Sequence, residues 1–232
     1  MQLLWHVRMT RPLVYAGAAI AGATILVMAW FDRHELIGAA VEARQLLGLW
    51  ALAFLLGSLI VGPLVAVVPW LPGKSHLVYA RRAAGVSAFF FAVAHVLCYL
   101  VSPWRRGWHE LWTPGVMWVV GLLLGLVALT GMGALALTSR DAAVKRMGGR
   151  QWKRLHRTSY WLLLVVLVHG VCNGADFGVN PGPDVKGHPD AGAAFGFFAV
   201  SAGWVVLFLI RKRGWRLGRR GNGAGQASYQ ET

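Results

Sequence analysis

The sequence predicts an all-α, polytopic membrane protein, a six-helix transmembrane bundle with both termini in the cytoplasm. Three observations carry that prediction. The residues are 56% hydrophobic, with a mean hydropathy of +0.52, and only 14% are charged, against about 25% in a soluble domain. Six apolar stretches match or approach the roughly 20 residues that cross a bilayer. The basic residues collect on one side of those stretches.

The spans fall near residues 12–30, 46–68, 83–101, 115–137, 158–172 and 193–210. The first has an apolar run of about 19 residues, longer than the roughly 7–15 of a signal-peptide core, and reads as a retained helix. The next three are nearly unbroken. The fifth is short and reaches spanning length by starting near Arg154, with its basic side chains snorkelling to the interface. The sixth ends at Ile210. Residues 1–211 are therefore read as the membrane domain. Residues 212–232, rich in Gly and Arg, are read as a basic cytoplasmic tail with the composition of a disordered, lipid-touching segment. No internal repeat and no soluble domain is visible in the sequence.

Charge sets the orientation. Arg8 and Arg11 precede the first span. The second loop carries Lys74, Arg81 and Arg82, and the fourth carries Arg140, Lys145, Arg146, Arg150, Lys153, Arg154 and Arg157. Six more cations follow the last span. Eighteen of the 23 Lys and Arg thus share one side with only Asp141 and Glu231, and the other side has a slight acidic excess. An even number of spans with every basic segment on one face obeys the positive-inside rule. The +14 net charge is therefore a topology signal, and it excludes nucleic-acid binding as the reason for the charge. Trp30, Trp104, Trp108 and Trp112 near the outer boundary, with Trp70, Trp152 and Trp215 near the inner one, form interfacial belts.

Two cysteines are too few for a disulfide scaffold or an all-cysteine zinc site. Both follow a histidine at the same interval, in "FAVAHVLCYL" (residues 91–100) and "VVLVHGVCNG" (165–174). Cys98 and Cys172 read either as small buried side chains or as a bridge between the third and fifth spans.

His95 and His169 are polar rings inside hydrocarbon-grade helices, which is costly unless something binds them. Both spans run outward and both histidines lie nearer the outer end, so they can sit at one depth. Two neutral imidazoles on separate helices, one on each side of an iron, are the ligand set of a bis-histidine heme b. Hydrogen bonding between helices or proton relay is the competing use. Zinc lacks a third ligand at that depth. Ala84, Ala88 and Ala92, below His95, form a small-residue stripe that either leaves room for a flat macrocycle or packs helices closely. Gly121 and Gly125 read as packing. Arg105 and Arg106 in the third loop are candidates to meet heme carboxylates. His156 lies 13 residues before His169, about 20 Å along a helix. It would serve an inner second heme, contact a flavin or quinone, or simply sit at the interface. Arg81 and Arg82 occupy the height at which the third span would offer its partner, so His76 or water would have to complete such a site. Arg150, Lys153 and Arg154 are candidates for a flavin phosphate or an acidic donor protein.

The segments "YARRAAGVSAFFFAVAHVLCYL" and "LALTSRDAAVKRMGGRQWKRLHRTSYWLLLVVLVHG", with "LLGLWALAFLLGSLIVGPL" before them, resemble the heme-binding membrane subunit of the bacterial protein-methionine-sulfoxide reductase system, in the ferric-reductase-like transmembrane superfamily. The resemblance covers roughly residues 40–172 and rests on Arg81, Arg82, His95, Thr138, Ser139, Ala142, Trp152, Leu155, His156, Tyr160 and His169. It implies an inner-membrane electron-transfer subunit of an oxidoreductase, with heme iron held at His95, His169 and His156. Electrons would come from a cytosolic flavin reductase, through FMN, or from quinol (a quinone site), and would pass to a periplasmic molybdopterin enzyme. After His169 the chain departs from the family in a long outer loop, residues 173–192, which bears on the identity of that periplasmic partner. Two other classes stand beside this one. A stand-alone reductase of ferric iron or oxygen species would be fed by quinol, since 22 residues after Ile210 cannot hold a flavin domain. A non-redox membrane subunit would use its histidines for packing, and a transporter would show broken or repeated helices.

Overall fold

The computed structural model describes residues 2–68, 71–101, 115–173, 201–206 and 208–210. All the regular structure among them is helical: α1 (Gln2–Arg33), α2 (Leu36–Val67), α3 (Lys74–Val101), α4 (Val116–Leu137), α5 (Asp141–Met147), α6 (Gly149–Arg157) and α7 (Ser159–Asn173). Residues 201–206 and 208–210 are also helical and belong to the expected sixth span. Among the described residues, five helices are long and apolar enough to cross a membrane: α1 from Met9 on, α2, α3, α4, and α6 with α7 as one unit. The third-loop arginines Arg105 and Arg106, the outer loop from 174 onward, Trp70, Trp104, Trp108, Trp112, Trp215 and the tail 212–232 lie outside the described residues.

The bundle is inside out relative to a soluble protein, because the bilayer removes the need to hide apolar side chains. Ile20, Met28, Phe31, Val116 and Trp161 are among the most exposed. Most of what is buried is small or aliphatic. One core joins Leu52, Leu55, Leu56 and Leu59 of α2 to Ala88 of α3, Met132 of α4, Leu162 and Leu163 of α7, and Trp204. A second packs Ala18, Ile25 and Ala29 of α1 on Ala39, Ala43, Leu47 and Ala51 of α2 and Phe91 of α3. Alanine at these positions lets backbones approach closely, the usual means of helix association in lipid. Ala88, fully buried, shows that this part of the alanine stripe serves packing, whereas Ala92 borders a cavity.

Helix ends differ from the sequence reading in ways that matter. Helix α1 starts at Gln2, so Arg8 and Arg11 stand on the helix itself. Helix α2 starts at Leu36, about ten residues before the apolar run, so Arg44 is a buried helical residue and not part of a loop. The fourth loop is two short helices. Between them Gly148 has φ +75°, a left-handed conformation that glycine adopts without steric cost.

Candidate functional site

Helices α3 and α7 run in the same direction and bring His95 and His169 together. Their ring centroids are 6.3 Å apart, with planes at 87°. The His95 Nδ1–H donates to the Arg44 carbonyl of α2 at 2.6 Å, and the His169 Nδ1–H donates to the Gly121 carbonyl of α4 at 2.7 Å. A carbonyl only accepts, so the proton must be on Nδ1 in both rings. That fixes the tautomer and leaves Nε2 as the lone-pair nitrogen, which is how ligating histidines are held by their outer partners.

Each ring lies over a glycine. A Cβ added at Gly48 would meet His95 Nδ1 at 3.0 Å, and one at Gly125 would meet His169 Cε1 at 2.8 Å. At Gly121 a Cβ would overlap the Asn173 amide and stand 2.8 Å from the Cys172 Cβ. Gly121 and Gly125, read from sequence as helix packing, therefore shape the histidine site. No sequence period marks them, since glycine every four residues is also the pattern of ordinary close packing.

The two histidines border one cavity of about 350 Å³. Its lower part is aliphatic, with Leu52, Leu55, Ala128 and Met132. Its outer end is polar, with Arg44, Gln45, Tyr99 and Asn173. The Arg44 guanidinium stands 5.9 Å over the Tyr99 ring, and the Asn173 amide donates to the Trp118 carbonyl at 3.1 Å. A buried cation at one end of an apolar slot is a place for an anionic edge. Arg44, Gly48 and Asn173 are site residues that the sequence reading missed. The one available signal was a charge just before a long apolar run.

This donor set fits heme. A metal at the usual imidazole distance of about 2.0–2.1 Å from a nitrogen on each side puts two ring centres roughly 6 Å apart. The rings stand at that spacing already, with proton and lone pair on the required atoms. The cavity between them is apolar where a macrocycle would lie and cationic where carboxylates would lie. Among the described residues no group of three or more His, Cys, Asp or Glu gathers as a metal site. Both thiols are free. Cys98 packs on the α1–α2 core and Cys172 lies against α4 at Gly121, so they face different neighbours.

The remaining sequence candidates lie elsewhere. His156 stacks on Trp152 at 4.1 Å and 28°, and its Nε2 is 3.3 Å from the Thr138 hydroxyl. Trp152 Nε1–H donates to the Thr138 carbonyl at 3.0 Å. Arg82 lies over Trp152 at 5.7 Å and pairs with Asp141, and that guanidinium holds the Asp141 carboxyl below the usual carboxylate range. The motif residues Arg82, Thr138, Trp152 and His156 thus form one polar pin between the inner ends of α3 and α4 and the fourth loop. Arg81 is half-buried on α3. Arg150 and Arg154 are exposed on α6, away from the cavity. His76 Nδ1 is 2.8 Å from the Thr10 hydroxyl, on α1.

The profile of the ferric reductase like transmembrane component family matches residues 47–167. That stretch contains Gly48, His95, Gly121, Gly125 and His156 and stops just short of His169. The magnetosome protein MamZ of Magnetospirillum gryphiswaldense is 32% identical over 174 residues, which are 71% of this chain and 26% of that protein. The protein-methionine-sulfoxide reductase heme-binding subunit MsrQ of Rhodospirillum rubrum is 31% identical over 156 residues, 65% of this chain and 73% of the relative. The subunit of the same name from Agrobacterium fabrum is 36% identical over 131 residues, 56% of this chain and 57% of the relative. The chain spans about a quarter of the length of the MamZ relatives.

Proposed function

The chain belongs to the ferric reductase-like transmembrane family, and on that premise we propose that it is a heme-carrying subunit that conducts electrons across the bacterial inner membrane. The reading rests on one observation: His95 and His169 face a shared cavity with both Nδ1 protons committed to backbone carbonyls. His95 and His169 would hold the iron of one heme b through Nε2. The Arg44 and Gly121 carbonyls orient the rings, Gly48 and Gly125 leave room for them, and the aliphatic walls exclude water. Arg44 would receive the heme carboxylate edge at the outer end of the cavity. When bound there, heme b supplies reversible one-electron chemistry at iron. Two imidazoles leave no open coordination position, so these residues favour transfer over oxygen chemistry.

The name shared by several relatives points to a methionine-sulfoxide reductase system; beyond that name, we propose a periplasmic molybdopterin enzyme as acceptor and a flavin reductase, FMN or quinol as cytoplasmic source. The donor would meet the side bearing the basic fourth loop, and the acceptor the outer end of the cavity. His156 is assigned to the inner pin, given its stack on Trp152 and its contact with Thr138. The test is a reduced-minus-oxidised visible spectrum of the purified protein with a pyridine hemochrome count. One b-type heme per chain is expected. Protein without heme after heme-replete expression would overturn the proposal.

A further inference from the structure

Helix α6 passes into α7 through Thr158 alone, whose backbone is itself helical at φ −64°, ψ −17°. The Leu162 N–H donates to the Thr158 carbonyl at 3.0 Å, so the helical phase carries across. One face can therefore be followed through both helices. On α6 it carries Arg150, Arg154 and Arg157, with Lys153 at its edge, and all four are exposed. On α7 the same face continues as Trp161, Leu164 and Val168, which are 73%, 49% and 50% exposed. Residues at intervals of four, three, four, three and four lie along one line of an α-helix. The apolar upper part of that line faces lipid. The cationic lower part therefore points sideways into the headgroup layer and not down into the cytosol.

Depth agrees. Arg150 to Arg157 covers seven residues, about 10 Å, against a headgroup layer of roughly 5–8 Å per leaflet. Trp161, one turn above Arg157, marks the interface, where tryptophan prefers to sit. The stripe is also held in place. The opposite face of α6 carries Trp152 and His156, which are fixed on Thr138. Helix α6 has no acidic side chain to neutralise the cations. The nearby acid Asp141 is engaged by Arg82.

We propose that the Arg150–Arg154–Arg157 stripe is a binding site for the phosphodiester headgroups of anionic phospholipid in the inner leaflet. Guanidinium groups suit this ligand because they pair phosphate oxygens through two parallel N–H bonds. The site is independent of the heme reading. A positive-inside signal needs only the charge count, whereas this site needs the charges on this face.

The test is native mass spectrometry of the full-length purified protein, titrated with phosphatidylglycerol or phosphatidylcholine of identical acyl chains. The wild type should retain phosphatidylglycerol with a preference of about fivefold, as a few surface cations allow. The Arg154→Gln/Arg157→Gln variant should fall to about twofold or less, and Arg154→Lys/Arg157→Lys should keep most of the preference, with affinity reduced. Lys145→Gln/Arg146→Gln, which removes the same charge from α5, should leave it intact. Inorganic phosphate should not displace the lipid. No preference in the wild type, equal loss in both glutamine pairs, or displacement by inorganic phosphate would each overturn the proposal. Absence of a lipid preference in the wild type, together with salt-sensitive reduction by a soluble flavoprotein that needs Arg154 and Arg157, would assign the face to a protein donor instead.

Discussion

In the α2–α3 pair, His95 donates to the Arg44 carbonyl and lies over Gly48, four residues on. In the α4–α7 pair, His169 donates to the Gly121 carbonyl and lies over Gly125, again four residues on. The two halves repeat one construction, including a cysteine three residues after each histidine, although their sequences show no repeat. They differ at the residue that supplies the carbonyl. A backbone acceptor can come from any residue, so the side chain there is available for other work. In one half it is a buried cation at the cavity end. In the other it is absent, because Asn173 and Cys172 occupy the space a Cβ would need. The constrained positions are therefore the histidine and the glycine beneath it, and the carbonyl position is where the halves specialise.

The largest effect should come from removing a ligand. His95→Ala and His169→Ala should each abolish most of the b-type spectrum, and nearly equally if the halves are equivalent donors. A spectrum surviving one change but not the other would break the equivalence. Next come the glycines. Gly125→Ala and Gly48→Ala force a methyl against an imidazole, an overpacking of about 1–3 kcal/mol. Heme retained through purification should drop in both, and further for Gly125→Ala, whose contact is the tighter.

A smaller effect should distinguish the carbonyl positions. Arg44→Gln keeps the carbonyl and removes the cation, which disfavours the more positive, oxidised centre. The midpoint potential should fall by about 60 mV, one tenfold step for a single electron, while Asn173→Ala should leave it nearly unmoved. A potential unchanged in Arg44→Gln would mean that the halves do not differ electrostatically. The smallest effect lies away from both halves. His156→Ala should leave the heme count at one per chain and lower the melting temperature by loosening the inner pin. A count falling from two to one would instead make His156 a ligand. The pin's acid titrates with a defined sign. The Asp141 carboxyl is held low by Arg82, so its small contribution is present above the ordinary carboxylate value and lost as pH falls through the lowered one. Melting curves of Asp141→Asn and wild type should therefore converge in acid.

Much of this was legible in the chain itself. The bilayer is a solvent with a fixed thickness and a sided charge preference, so span length and loop charge report locally on topology. Five spans, the inward basic loops and the matched depth of His95 and His169 follow from residues read one helix at a time. The motif Arg82, Thr138, Trp152 and His156 was visible as spacing, but its physical sense as a pin was not. Spacing along a chain does not say which side chain crosses to which helix.

The sequence determined which segments enter the membrane, which way they point and which two imidazoles share a depth, because each of these depends on composition within a single helix. Only the tertiary structure decided that Arg44 is buried beside the histidines, that Gly48 and Gly125 lie under the rings, that Gly121 makes room for Asn173, and that Arg150, Arg154 and Arg157 share one exposed face with Trp161, Leu164 and Val168. Those facts depend on the rotational phase of each helix against its neighbours. That phase is set by how the small residues of all the helices fit together at once, and no periodicity in one helix records it.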